Sequence, residues 1–93
     1  MTEVIKDMEE QPLKGADGKV MMLKDVCINA LLTPLEEDKT MSGQKKADLF
    51  MLAMSIKKDE CELTVDDVSL IKTRVGKMYS QLVVGRVFSI IEG

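Results

Sequence analysis

From Leu23 onward the apolar residues return with the spacing of an α-helix, and this periodicity constrains the fold more than any other feature of the chain. Leu23, Val26, Cys27, Ala30 and Leu31 fall at i, i+3, i+4, i+7 and i+8, on one helical face. The pattern stops at Thr33-Pro34, because proline disfavours helical geometry in the residue before it. A helix over about 23–32 is predicted, followed by a polar connection, Leu35 to Met41. Ser42 is an N-cap for a second helix over about 43–57, where Ala47, Phe50, Met51 and Met54 line one face and Leu49, Leu52, Ala53 and Ile56 widen the apolar arc. So broad an arc predicts contact on more than one side and a central place in the domain.

Thr64, with Asp66 and Asp67 behind it, supplies a cap and two acids at the positive end of a helix dipole, predicting a helix over about 65–77. Ser80 opens the last helix, about 81–91, in which Leu82, Val83, Val84, Val87, Phe88, Ile90 and Ile91 occupy nearly the whole circumference. A helix apolar all round is a buried spine or an oligomer interface. Gly85 inside it predicts close approach of another backbone.

Ahead of the helices, Asp17-Gly18 can take the positive φ angles of a tight turn, and Pro12 suits a strand edge. A β-hairpin over about 4–22 is expected, with strands near Met8 to Lys14 and Lys19 to Met22. No internal repeat is evident. The expected fold class is therefore α+β, mainly α: an N-terminal β-hairpin and about four short helices in one compact domain, residues 1–93. At 93 residues a second core has no room.

Composition narrows the chemistry. The chain has no histidine, which removes the commonest general base and zinc ligand. Its two cysteines, Cys27 and Cys61, have no CxxC partner and read as reduced, packed thiols. The clusters Glu36-Glu37-Asp38 and Asp59 to Glu62 lack the ligand order of a calcium loop, and Gly15 to Gly18 lacks the context of a phosphate loop. No catalytic, cofactor-binding or metal-ligating set is assigned, and a non-enzymatic protein is expected. No signal peptide precedes the domain and no apolar run reaches the roughly 20 residues of a membrane span. The net charge of -3 and pI of about 4.9 disfavour nucleic acid, whose candidate contacts are Lys45, Lys46, Lys57, Lys58, Lys72, Arg74 and Lys77.

The passages GKVMMLKD (Gly18 to Asp25), ALLTP (Ala30 to Pro34), SGQK (Ser42 to Lys45), LTVDD (Leu63 to Asp67) and LVVGR (Leu82 to Arg86) resemble the landmarks of a family of small tailed-phage and prophage proteins. Gln44 stands where that family more usually has an acid. The resemblance covers most of the chain and implies a setting, the cytoplasm of an infected or lysogenic bacterium. It assigns no mechanism, because each landmark is also a cap, a turn or a core segment.

The function expected is that of a phage accessory protein acting by protein-protein binding, modulating or inhibiting a host or phage protein. Eight methionines suit adaptable contacts, and the candidate contact residues are Met21, Met22, Met51, Met54, Val84, Val87 and Phe88. The competing readings are a self-associating structural or assembly protein, with Leu82 to Ile91 as the interface, and a weak nucleic-acid-binding regulator.

Overall fold

The computed structural model describes residues 3–15, 17–58 and 63–92, without the side chain of Glu37. Cys61 and the acidic run Asp59 to Glu62 lie outside them. Four helices make up the domain: α1 (Leu23–Leu32), α2 (Gly43–Lys57), α3 (Val65–Met78) and α4 (Gln81–Glu92). A short 3-10 helix, Glu36–Thr40, joins α1 to α2.

Local chemistry sets the helix starts. Ser42 Oγ accepts the Lys45 amide at the head of α2. Thr64 and Asp67 form a reciprocal capping box at α3, the Thr64 hydroxyl accepting the Asp67 amide and the Asp67 carboxylate accepting the Thr64 amide. Such boxes satisfy two of the amides that a helix start leaves without partners.

The helices pack in a chain of contacts, α2 on α1, α1 on α3 and α3 on α4, so that α1 and α3 are the inner pair and α2 lies at one end. The expectation that α2 occupies the centre is thereby corrected. Its buried stripe is only Leu49, Ala53 and Ile56, with Leu52 packed at the edge of the core, while Ala47, Phe50 and Met51 are exposed. The core gathers that stripe with Leu23, Val26, Cys27, Ala30 and Leu31 of α1, Ile71 and Val75 of α3, and Val83 and Val87 of α4. In α4 the exposed positions are Gln81, Gly85, Ser89 and Glu92, a polar stripe. Among the described residues nothing beyond its own stretch of helix lies within 4 Å of where a Gly85 side chain would begin, so the expected close approach of another backbone is not found there.

The N-terminal β-hairpin is absent, and with it the α+β class: the domain is all-helical, with no strand among the described residues. The turn at Asp17-Gly18 does form, with Gly18 at φ 79°, Gly18 donating to the Gly15 carbonyl and Asp17 accepting the Lys19 amide. The strand expected at Met8 to Lys14 fails because Asp7 uses its carboxylate to accept the Glu9 and Gln11 amides. Residues Met8 to Glu10 thereby turn back on themselves, with Glu10 in the left-handed region at φ 63°.

The turned-back chain forms a closed knot. The Ile5 amide donates to Met21, the Met21 amide to Leu13, and the Leu13 amide back to Ile5, at 2.9, 2.7 and 2.9 Å. Around this ring Asp7 donates to Gln11, Gly15 to Lys19 and Leu23 to Glu3. Isolated antiparallel bridges, Val4 with Met22, Lys6 with Pro12 and Lys14 with Val20, complete a threefold arrangement. Three segments each antiparallel to both others cannot share a flat sheet, since a third sheet strand antiparallel to the second runs parallel to the first. They lie instead as sides of a triangle, and each pair meets too briefly to make a strand.

The knot repeats every eight residues, through Ile5, Leu13 and Met21, although the side chains hide the repeat. Ile5 is fully buried, and Leu13 and Met21 pack against the core. Pro12 fits because its equivalents, Val4 and Val20, make no backbone amide hydrogen bond among the described residues. Arg86 of α4 fastens the knot, donating to the Asp7 carbonyl at 2.6 Å and to Glu10 at 3.1 Å.

Amide hydrogen exchange tests this arrangement. Protection is expected at Ile5, Asp7, Leu13, Gly15, Met21 and Leu23, whereas a hairpin of 8–14 with 19–22 leaves Ile5 and Asp7 at coil rates.

Candidate docking face

Arg74 of α3 is 4% exposed, the one charged residue among the described residues that is buried. Each of its three guanidinium nitrogens has a partner. Nε donates to the Ala30 carbonyl at 2.6 Å and Nη2 to the Thr33 carbonyl at 3.0 Å, meeting two of the carbonyls that end α1. Nη1 and Nη2 also hold both oxygens of Asp38, at 3.0 and 2.9 Å. This is the bidentate geometry that a planar fork favours. Asp38 in turn accepts the Leu35 amide at 2.9 Å. One side chain thus joins α3, the end of α1 and the 3-10 helix.

The Arg74 hydrogen bonds, with the Leu35 amide adding to them, hold the Asp38 carboxyl well below its ordinary 3.8, at about 2. Burial opposes that shift, and the charges of Arg74 and Lys46 add smaller lowering effects.

By fixing the connection 33–40, the clasp keeps open a groove of about 450 Å³ between the end of α1 and α2. Its apolar part is Leu31, Leu32, Pro34, Leu35 and Leu49, and its polar lining is two acids, Glu36 and Asp38, with two lysines, Lys39 and Lys46. Lys39 is paired with Glu36 at 3.0 Å. Leu32 is about half exposed.

On α2 the groove runs into an exposed flank. Lys46, Phe50, Met54 and Lys57 fall at i, i+4, i+8 and i+11, one stripe of the helix. Ala47, Met51 and Lys58 form the stripe beside it. Phe50 is 51% and Met51 62% exposed. The only acid in α2, Asp48, sits nearly opposite Phe50 by helical spacing, where Gln44 donates to it at 2.9 Å. The flank is therefore basic and apolar, with no acid of its own helix.

The residues singled out from sequence fall in three separate places. Met21 and Met22 are half-buried in the N-terminal knot. Met51 is exposed and Met54 half-buried on α2. On α4, Val84 and Phe88 are half-buried against the core and Val87 is fully buried. Lys72 lies 4.7 Å above the Phe88 ring and pairs with Glu92. Leu32 is the groove residue that sequence reasoning passed over, and its signal was its place just beyond the last buried position of α1.

Of the basic residues named as nucleic-acid contacts, Arg74 and Lys72 are committed within the fold, and Lys45, Lys46, Lys57 and Lys58 at α2 are exposed. Among the described residues no group of His, Cys, Asp and Glu side chains could hold a metal ion, and no helix is long and apolar enough to cross a membrane. Comparison with protein-family models, curated proteins and solved structures gives no match.

The lowered Asp38 pKa makes a signed prediction. Its contribution is present above the unfolded-state value of 3.8 and lost as the pH falls through about 2. It is worth on the order of 2 kcal/mol. Urea unfolding between pH 6 and pH 2 should show the wild-type advantage over Asp38→Asn shrinking as the pH falls; an advantage independent of pH contradicts the assignment.

Proposed function

We propose that this chain is a non-enzymatic tailed-phage accessory protein that binds another protein, of host or phage, in the cytoplasm of an infected or lysogenic bacterium, and that it does so through α2. The observation that carries the reading is the exposure of Phe50 and Met51 side by side on a regular helix. Neither is absorbed into the core, and Phe50 lies one helical turn from Lys46 of the groove lining. Aromatic side chains dominate the energetics of protein interfaces, and methionine adapts its shape to a partner.

The phage setting rests on the sequence landmarks. They fall at Gly18 to Asp25 and Leu82 to Arg86 and at the caps of α2 and α3, which form the scaffold carrying this flank. Modulation or inhibition of the partner is the activity that such a small binding domain performs by occupying a surface. The α4 helix supports a self-associating reading less well, since its exposed stripe is Gln81, Gly85, Ser89 and Glu92. Nucleic-acid binding is disfavoured by the pI of about 4.9 and by the apolar side chains between the α2 lysines.

A Phe50→Ser, Met51→Ser variant tests the reading. Its melting temperature should stay within about 4 °C of wild type, as expected for exposed positions. Affinity capture from infected cells should retain a stoichiometric protein on the wild type and lose it on the variant. Equal capture by both, or capture by neither, overturns binding through α2.

A further inference from the structure

We infer that the occupant of this face is an acidic amphipathic helix of the partner protein, laid along α2 with its carboxylates at Lys46 and Lys57 and its apolar side chains on Phe50 and in the groove. The inference rests on the proposed binding through α2 and names the chemistry that fills it.

Charge supplies the first argument. The chain as a whole is acidic, with 16 acids against 13 bases, yet this flank of α2 pairs lysines with apolar residues and carries no acid of its own helix, and the two acids of the groove, Glu36 and Asp38, are already paired with Lys39 and Arg74. A partner meets attraction here if it is acidic, and this sets both rate of encounter and choice of partner.

Geometry supplies the second. Lys46 and Lys57 are separated by about 16 Å along the helix axis, roughly three turns. The apolar residues Phe50 and Met54 lie between the two charges, and the groove opens beside Lys46 and Leu49. A partner helix of three to four turns presents apolar residues at i, i+3, i+4 and i+7 to such a surface with acids at its flanks.

The other occupants fit less well. A peptide adding as a β-strand needs a free strand edge, and the described residues contain no strand. The extended segments that do exist pair with one another inside the knot through Ile5, Leu13 and Met21, and each pairing is a single bridge. A flat anionic bilayer leaves a groove of about 450 Å³ unfilled. Phosphates gain nothing from Leu32, Leu35 and Leu49. A second copy laid α2 against α2 sets lysine against lysine.

The test is an NMR titration of the full chain with a synthetic helix of about 18 residues, leucine on one face and glutamate on its flanks. Its controls are the same helix with every glutamate changed to lysine, a scrambled sequence, phosphatidylglycerol vesicles and an oligothymidylate. The acidic helix should bind at least about 5-fold tighter than the lysine helix, more weakly as salt rises, with shifts centred on Leu32, Lys46, Phe50 and Lys57. In Lys57→Glu that preference should fall toward parity, and in Lys46→Glu, Lys57→Glu it should reverse. Lys57 is exposed and distant from the Asp38 clasp, so the single variant serves if the double does not fold.

Equal binding of the two helices, binding of neither, or stronger shifts at the same residues with vesicles or oligothymidylate overturns the inference. If the acidic helix fails while Phe50→Ser, Met51→Ser still abolishes capture of a cellular protein, binding through α2 stands and only its acidic partner falls.

Discussion

Arg74 is a permanent cation that the fold takes out of water, and such a charge is tolerated only when it is well hydrogen-bonded and a counter-charge is held in good geometry. Its four hydrogen bonds, to Ala30, Thr33 and both oxygens of Asp38, meet that condition. The contacts reach across 36 to 44 positions of sequence, so they bind elements that local propensity leaves independent. Breaking a buried pair by removing one partner typically costs about 3–5 kcal/mol. A domain of this size has a total stability of roughly 5–10 kcal/mol.

The same interaction shapes the surface. Without it the connection 33–40 keeps the bond from the Leu35 amide to the Asp38 carboxylate but has no tie to α3. The groove beside α2 is bounded by that connection through Pro34, Leu35 and Asp38. Arg86 does the corresponding work at the other end of the molecule, linking α4 to the turn of the N-terminal knot through Asp7 and Glu10. Two arginines thus tie together segments whose apolar contacts alone would leave slack. The accessible lysines of α2 are left for the surface.

The helices were legible in the sequence because their signals are local: period, cap, dipole and the Thr33-Pro34 stop. The knot was not, because a turn at Asp17-Gly18 is compatible with a hairpin and with a triangle alike. The difference lies in Asp7, whose carboxylate competes for the amides of a would-be strand and brings a third segment into the pairing. Width of an apolar arc also misled. In α2 the extra residues Phe50 and Met51 face outward, whereas the fuller arc of α4 is absorbed by the core. Single-chain periodicity says how much of a helix is apolar but not how many neighbours it has. Arg74 read only as a basic residue on α3, since nothing local marks a pairing with a carboxylate 36 positions earlier.

A double-mutant cycle on Arg74→Met and Asp38→Ala, followed by urea unfolding at neutral pH, measures directly whether the clasp acts as a unit. Each single change should destabilise the domain strongly, and the double change should cost less than the sum by at least about 2 kcal/mol, as for groups sharing one network. Additivity within about 0.5 kcal/mol would show that the two residues stabilise the fold independently and that the clasp does not organise it.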